Sequence, residues 1–283
     1  MQVGWQAELS SLPVPAIGFG LLVVMAIGGG IGQAIRVWSA KRPKHKIHES
    51  GESVAQEGYL LGGVIGLLGL LLAFSFGMVL DRYETRRQIA IDEANAIGTA
   101  YLRAQFLDEP SRSRLSAILV DYTANLITLG STEGANDANL AKNDRLLTEM
   151  WAMVRAARES ALAHGTTTVL LNTFNDVIDF DAKRKIAWEL RLPPEVLVLV
   201  LSYLVIMAAV VGSQVNGPRG RRAALVLFAL IALSMTFISD INRPMGARGP
   251  DLQKPMIMLL QSMRSQPPQV FDQFDPQAGQ ATP

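Results

Sequence analysis

Two short stretches of this sequence contain closely spaced histidines or carboxylates, which are the side chains that bind metal ions. His45 and His48 stand three residues apart in "HKIH", but no third ligand is visible nearby, and zinc takes at least three protein ligands. Asp176, Asp179 and Asp181 fall in "NDVIDFDAK", which lacks the glycine and terminal glutamate of an EF-hand loop. We therefore interpret the first stretch as a solvated basic loop and the second as a polar helix face, and predict no metal site.

Other catalytic signatures are also missing. The sequence contains no cysteine, so disulfides, thiolate metal sites and cysteine nucleophiles are excluded. It has no G-x-G-x-x-G, P-loop or G-x-S-x-G motif. A net charge of +1 with mostly scattered basic residues does not favour nucleic-acid binding. We predict a protein that is not an enzyme and uses no cofactor.

A stripe of small residues runs along the apolar segment 59–80. In lipid such a stripe lets helix backbones approach closely; alternatively, it faces a central axis where several copies surround a pore. If the helix is rotated the other way, Phe74 and Phe76 form a constriction that gates by dewetting. These two residues and the stripe are our candidate pore-lining residues. The stripe recurs every three or four positions and so shares one helix face: Gly62, Gly66, Gly69, Ala73 and Gly77.

Beyond Leu80 the same helix face becomes polar, and no proline separates the apolar part from the charged part. We therefore predict one continuous helix that leaves the membrane without a stop. Asp81, Arg82 and Glu84 are candidates for a charged ring at the pore mouth, where an acidic ring favours cations and a ring of Arg82 favours anions. Glu84 and Arg87 are spaced to form a local ion pair worth a few tenths of a kcal/mol.

Four segments with almost no charge have about the length of 20 residues that spans a bilayer. They predict membrane helices at 12–38, 59–80, 193–215 and 223–242. No span carries an ionisable residue in its middle, which disfavours a pump or a coupled transporter. The predicted fold class is an all-α, multi-pass membrane protein, and we expect it in the lipid bilayer of a bacterial inner membrane.

Residues 81–192 predict a soluble helical insert that continues the second span, because they are rich in helix-forming residues. Pro110 separates two helices, "GSTEGANDANLAKN" over 130–143 predicts a loop, and further helices follow over 144–164 and from about 166 to "RLPP". Residues 250–283 predict an amphipathic helix and then a tail, for which disorder is favoured over an extended strap. The apolar face of that helix comprises Met256, Leu259, Leu260 and Met263.

Three stretches of the chain resemble the bestrophin-like membrane family. They are "LLAFSFGMVLDRYETRRQIAIDEANAIGTAYLR", "NDVIDFDAKRKIAWELRLPP" before the third span, and "DINRPMG" after the fourth. With the two-plus-two order of spans, the resemblance covers most of residues 12–265. It implies a homopentamer with a bestrophin-like fold, an axial pore lined by the second span and a helical cytosolic vestibule. It also implies passive conduction of anions, or of cations as in some bacterial relatives.

The third stretch contains a candidate interfacial motif of Asp240, Asn242, Arg243 and Pro244. The plain interpretation of Asp240 is an interfacial cap or salt bridge at the end of the fourth span. In animal bestrophins a comparable stretch is followed by an acidic, calcium-binding run, whereas "INRPMGARGPDLQ" has one acidic residue, Asp251. Because calcium takes six to eight oxygen ligands, no calcium site is predicted here.

The side of the membrane that holds the insert is judged from two basic loops. "RVWSAKRPKHKIHE" joins spans one and two, and "QVNGPRGRR" joins spans three and four. The positive-inside rule puts both loops in the cytoplasm, and so puts both termini and the insert in the periplasm. Basic residues near both ends of the insert weigh the other way, and the resemblance implies a cytosolic insert. We follow the loop charges and expect a periplasmic insert.

Two functions fit these observations. The first is an oligomeric ion channel that conducts small inorganic ions passively through an axial pore lined by the second span. The second is a non-conducting membrane scaffold or sensor whose helical insert binds a partner, with the small residues serving only for packing. Subunit number and a central opening along the second span discriminate between the two, and we favour the channel.

Overall fold

The structure is a computed structural model that describes residues 12–40, 51–131, 134–215, 217–243 and 249–273. All regular secondary structure in these residues is α-helical. The helices are α1 (Val14–Ala40), α2 (Gly51–Ala104), α3 (Ser111–Leu129), α4 (Asp137–Ala156), α5 (Arg158–Ala163), α6 (Thr167–Glu189), α7 (Pro194–Gln214), α8 (Gly217–Asn242), α9 (Gly249–Ser265) and α10 (Pro268–Asp272).

Four candidate spans, judged by length and composition alone, lie on α1, α2, α7 and α8. This agrees with the four spans predicted from the apolar segments. α8 begins six residues before the predicted start, because "GPRGRR" is helical. Gly217 opens this helix at φ +69°, a backbone conformation that glycine adopts without strain.

α2 is one unbroken helix of 54 residues. The prediction that the second span continues into the charged segment is therefore confirmed. The apolar part of α2 ends at Leu80, and the charged part begins at Asp81. We call residues 59–80 the spanning part of α2.

Two boundaries in the insert differ from prediction. The side chain of Asn136 accepts a hydrogen bond from the backbone N–H of Asn139 at 3.0 Å, and this N-cap begins α4 at Asp137. The loop predicted over 130–143 is therefore too long. The single helix predicted over 144–164 is also wrong, because α4 ends at Ala156 and α5 begins at Arg158.

The chain divides into two compact units. The spanning unit comprises Met1–Arg82 and Arg191–Arg243, and the insert unit comprises Tyr83–Leu190 and Pro244–Pro283. In the spanning unit, α1 packs against α7 and α8. In the insert unit, α3 packs against α4, α9 and α10, and α6 packs against α4 and α5.

Glycines bring α1 and α7 into backbone contact in the spanning unit. A Cβ atom on Gly32 would lie 1.9 Å from the carbonyl oxygen of Ala209, and one on Gly212 would lie 2.0 Å from the carbonyl oxygen of Gly29. Only glycine fits at either position. The close approach of small-residue helices in lipid therefore operates between these two spans.

The insert unit has its own hydrophobic core, to which the last two helices contribute. Met256 and Met263 of α9 are each 3% exposed, with Leu259 and Leu260 packed alongside, so the predicted apolar face is turned into this core. The hydroxyl of Tyr101 donates to the carbonyl oxygen of Gln266 at 2.7 Å. The other buried members of the core include Ile97, Leu115, Leu119, Tyr122, Leu126, Met150, Phe174 and Val177.

The start of the predicted tail is ordered as the short helix α10. Arg112 forms an ion pair with Asp272, with nitrogen–oxygen distances of 2.5 and 3.0 Å. The expectation of disorder from Pro267 onward is therefore wrong as far as Asp272, because this pair and packing against α3 hold the segment. Residues 274–283 lie outside the described part of the chain.

Candidate functional site

The spanning part of α2 buries one face and exposes the opposite one. Leu68, Ser75 and Val79 are each at most 3% exposed, and their spacing of seven and four residues puts them on one side of the helix. The predicted stripe lies on the other side, which no other described part of the chain covers. All of its members are exposed: Gly62, Gly66, Gly69, Ala73 and Gly77.

The glycines of the stripe are not used for packing within the described chain. Outside the backbone of α2 itself, no described atom lies within 4 Å of a Cβ atom built on Gly62, Gly66, Gly69 or Gly77. This contrasts with Gly32, where the carbonyl oxygen of Ala209 lies 1.9 Å from such a Cβ atom. Tight intrachain packing therefore explains Gly32 of α1 but not these four glycines of α2.

The two aromatic candidates for a constriction have different surroundings. Phe74 is 62% exposed on the open side of α2. The ring of Phe76 stacks on Phe237 of α8, with ring centroids 6.1 Å apart and planes inclined by 23°. Phe74 is therefore available to another molecule, whereas Phe76 already has a partner within the spanning unit.

The charged residues after the second span are accessible to solvent. Asp81 and Glu84 are exposed, and Arg82 is half-buried. Arg87 donates to Glu84 at 3.0 Å, so the predicted local ion pair is confirmed. Both of its side chains are more than half exposed, and such surface pairs contribute little stability. The placement of Asp81, Arg82 and Glu84 at a pore mouth stays a prediction.

The interfacial motif joins the end of α8 to other parts of the spanning unit. Asn242 accepts a hydrogen bond through Oδ1 from the backbone N–H of Leu192 at 3.0 Å. Arg243 donates from Nη2 to the carbonyl oxygen of Leu12 at 2.5 Å. Oδ1 of Asp240 is buried and accepts no hydrogen bond from the described residues. Asn242 and Arg243 thus connect the end of α8 to the segments that precede α7 and α1. Pro244 lies outside the described residues.

Metal binding finds no support in the part of the chain that the structure describes. No group of three or more histidine, aspartate or glutamate side chains there is arranged to hold an ion. His45 and His48 lie outside that part. Asp176 and Asp179 are exposed, as a polar helix face requires, but Asp181 is only 3% exposed. The interpretation of Asp181 as a surface residue is therefore wrong.

Asp181 belongs to a buried charged cluster of the insert unit. Arg184 donates through Nε to Oε1 of Glu93 at 3.1 Å and through Nη2 to Oδ1 of Asp181. Asn143 donates to Asp181 at 2.9 Å, and Lys185 lies 2.8 Å from its second oxygen. Arg184 thus forms hydrogen-bonded ion pairs with two carboxylates. Charged or polar side chains of the cluster connect the three helices α2, α4 and α6.

The two carboxylates of this cluster titrate differently. Burial raises the pKa of Glu93 above its ordinary value of 4.5, and the neighbouring Arg184 offsets burial only in part. Burial would also raise the pKa of Asp181, but Arg184, Lys185 and Asn143 outweigh it and hold that pKa below 3.8. The two groups therefore have pKa values shifted in opposite directions within one site.

Two residues of the cluster, each with an unpartnered polar atom, line a small cavity. Oε2 of Glu93 and Nη1 of Arg184 are buried and have no hydrogen-bond partner among the described residues. Both residues line a cavity of about 40 Å³, together with Trp188 and Gln253. A cavity of this size has room for water, and its polar lining suits water.

A signal for this cluster was present in the sequence. Leu170, Phe174 and Val177 recur at spacings of four and three residues, which predicts a buried helix face. Asp181 and Arg184 continue the same spacing, and both are buried with that face. The spacing therefore predicts that Asp181 and Arg184 are buried and form an ion pair.

Comparison with known proteins identifies the family. A family model described as "Bestrophin-like domain" matches residues 31–246. The chain therefore belongs to the bestrophin-like family, and the resemblance seen in its three sequence stretches is confirmed. A search among curated protein sequences finds no match.

A solved structure has the same fold. It is the crystal structure of a mutant of a bacterial bestrophin homolog from Klebsiella pneumoniae, with a TM-score of 0.61. The match covers 87% of this chain and 98% of that chain at 13% sequence identity. At such low identity the match establishes the fold alone. The predicted all-helical, bestrophin-like fold is thereby confirmed.

Proposed function

We propose that this protein is an oligomeric ion channel that conducts small inorganic ions passively through an axial pore. The observation that carries the proposal is the open face of α2. Five small residues of a spanning helix lie opposite the buried Leu68, Ser75 and Val79, and no other described part of the chain covers them. Such a face borders either lipid or further copies of the chain. Membership of the bestrophin-like family favours copies around an axis, and by analogy five of them.

In this proposal each exposed residue of α2 has a distinct role. The stripe from Gly62 to Gly77 lines the pore, and its small side chains keep the pore wide. Phe74, at the edge of the open face, narrows it and allows gating by dewetting. Asp81, Arg82 and Glu84 stand at the mouth, where the charge nearest to the axis selects the ion. Phe76 contributes indirectly, through its contact with Phe237.

The test is ionic current from the purified full-length protein in a planar bilayer under a salt gradient. The proposal predicts reproducible current whose reversal potential reports the preferred ion. Phe74→Ala increases the conductance, because it widens the proposed constriction. The matched control is Phe19→Ala, since Phe19 is 70% exposed on α1 and has no place in the pore.

Absence of current would oppose the proposal if the protein is shown to be folded and oligomeric. Silence across pH, voltage and membrane tension would favour the scaffold or sensor, whose insert binds a partner. Equal changes of conductance in Phe74→Ala and Phe19→Ala would show that Phe74 does not line the ion pathway.

We further propose that the protein lies in a bacterial inner membrane, with its insert on the periplasmic side. Four candidate spans support a multi-pass protein. The basic loops between spans one and two and between spans three and four support the orientation, because such loops stay in the cytoplasm. No catalytic chemistry is proposed, because the resemblance to bestrophins implies passive conduction.

A further inference from the structure

The small cavity beside the buried charged cluster lies within the insert unit, and four helices form its walls. Its volume is about 40 Å³, which has room for about three water molecules. We call it the Glu93 cavity. α2 contributes Glu93, α6 contributes Arg184, and α3 contributes Leu126. The first part of α9 forms the remaining wall with Leu252, Gln253 and Met256.

Glu93 has one oxygen to which no described residue donates a hydrogen bond. The side chain is fully buried. Oε1 accepts from Nε of Arg184 at 3.1 Å and from the hydroxyl of Tyr122 at 3.4 Å, whereas Oε2 is buried and has no such partner. An ionised carboxylate that is buried and incompletely hydrogen-bonded is unfavourable. Either a proton on Oε2 or water in the cavity removes this cost.

The charges around Glu93 allow it to gain or lose a proton. Arg184 pairs with Asp181 as well as with Glu93, and Asp181 keeps its charge because its neighbours hold its pKa below 3.8. Protonation of Glu93 therefore leaves Arg184 with an anionic partner. The residues that α9 contributes to the lining carry no charge. The other titratable side chains of the cluster and the lining are Arg86 on α2, Tyr122 on α3, Asp144 on α4 and Lys185 on α6.

The wall formed by α9 is the one that can move. At the cluster, hydrogen bonds from Tyr122 and Arg184 join α2, α3 and α6 to one another. Pro255 lies inside α9 and has no backbone N–H, so one helical hydrogen bond is missing there. The far end of α9 is fixed, because the hydroxyl of Tyr101 donates to the carbonyl oxygen of Met263 at 3.3 Å. The segment before Pro255 can therefore shift while the far end stays in place.

We propose that the Glu93 cavity is a proton-binding site whose protonation state decides how closely α9 covers it. With the proton on Oε2, the carboxyl group is neutral and α9 stays closed. As the pH rises, the O–H bond breaks, its electron pair stays on Oε2 and the proton passes to water. The ionised carboxylate then draws water into the cavity, and the segment of α9 before Pro255 moves outward. Because burial raises the pKa of Glu93, this release takes place above pH 4.5.

Two methionines of α9 provide matched thiol probes, because the chain has no native cysteine. Met256 lines the cavity and is 3% exposed, whereas Met258 is 60% exposed. Met256→Cys and Met258→Cys are made separately in the full-length protein and reacted with iodoacetamide over a pH series above 4.5. The ratio of the two rates corrects for the ordinary pH dependence of thiol reactivity. We predict that this ratio rises several-fold as the pH is raised. Leu252→Cys repeats the measurement at a second lining position.

Three further substitutions assign the effect to Glu93. Glu93→Gln has the same size and stays neutral, so it keeps the ratio low at every pH. Asp121→Asn removes an exposed carboxyl group of α3 and preserves the rise. Tyr122→Phe removes a hydrogen bond that favours the ionised form of Glu93, and so moves the rise to higher pH. A flat ratio in the presence of Glu93, the same rise in Glu93→Gln, or a rise at lower pH in Tyr122→Phe overturns the proposal.

Discussion

Arg184 donates to both Glu93 and Asp181, and all three side chains are almost fully buried. Removing one partner of a buried pair leaves an uncompensated charge, at a cost of about 3–5 kcal/mol. We expect Arg184→Met to lower the thermal unfolding midpoint by roughly 10 °C for a chain of this size. The control is Lys183→Met in the same helix, because Lys183 is exposed. Equal midpoints for the two variants would show that the cluster does not stabilise the insert unit.

The raised pKa of Glu93 predicts the pH dependence of stability. A carboxyl whose pKa is raised by folding binds more protons in the folded state, so stability falls as pH rises above the ordinary value of 4.5. Asp181 acts in the opposite sense, because its lowered pKa removes stability only as pH falls below about 3.8. We therefore expect the unfolding midpoint of Glu93→Gln, relative to wild type, to rise as the pH is raised above 4.5. A constant difference would contradict the assignment.

Residue-level reading of the sequence succeeded where spacing alone carries the information. The Glu84–Arg87 pair and the apolar face of α9 follow from positions three and four residues apart. The prediction for Asp181 was wrong because a charged residue on a helix is normally solvated. Glu93, the other carboxylate that Arg184 binds, is 88 positions away. The buried pair of Asp181 and Arg184 is predictable only when the spacing of the apolar face is continued into the charged residues that follow it.

At the scale of helices, Gly212 sets how closely α1 and α7 approach. A side chain there would enter the backbone of Gly29, and overpacking of this kind typically costs about 1–3 kcal/mol. We expect Gly212→Val to lower the thermal unfolding midpoint by several degrees. Gly30→Val is the control, because a Cβ atom on Gly30 meets no described atom within 4 Å. A larger loss for Gly30→Val would contradict the packing.

The number of membrane spans and the continuity of α2 followed from apolar length and from the absence of proline between the apolar and the charged part. Two features did not follow. The rotation of α2 depends on which neighbours cover Leu68 and Val79, and a single sequence does not contain that information. The early start of α4 depends on Asn136 as an N-cap, in a segment whose polar composition is equally typical of a loop.

At the scale of the whole molecule, the family and fold agree with the sequence, while conduction remains a proposal. The match over residues 31–246 spans all or part of each apolar segment and the insert. It was anticipated because "LLAFSFGMVLDRYETRRQIAIDEANAIGTAYLR" and "DINRPMG" retain family features. The number of subunits was not derivable, since it depends on how the open face of α2 meets other copies.

The absence of native cysteine makes the open face of α2 directly testable, because one introduced thiol reacts alone. Ala73→Cys puts a thiol on the stripe, and Ser75→Cys puts one of similar size on the buried face, where Ser75 is 3% exposed. The measurement is planar-bilayer current before and after a charged, membrane-impermeant methanethiosulfonate reagent. We predict a several-fold change of current in Ala73→Cys and none in Ser75→Cys. Unchanged current in Ala73→Cys, with its modification verified by mass, would contradict a pore lined by this face.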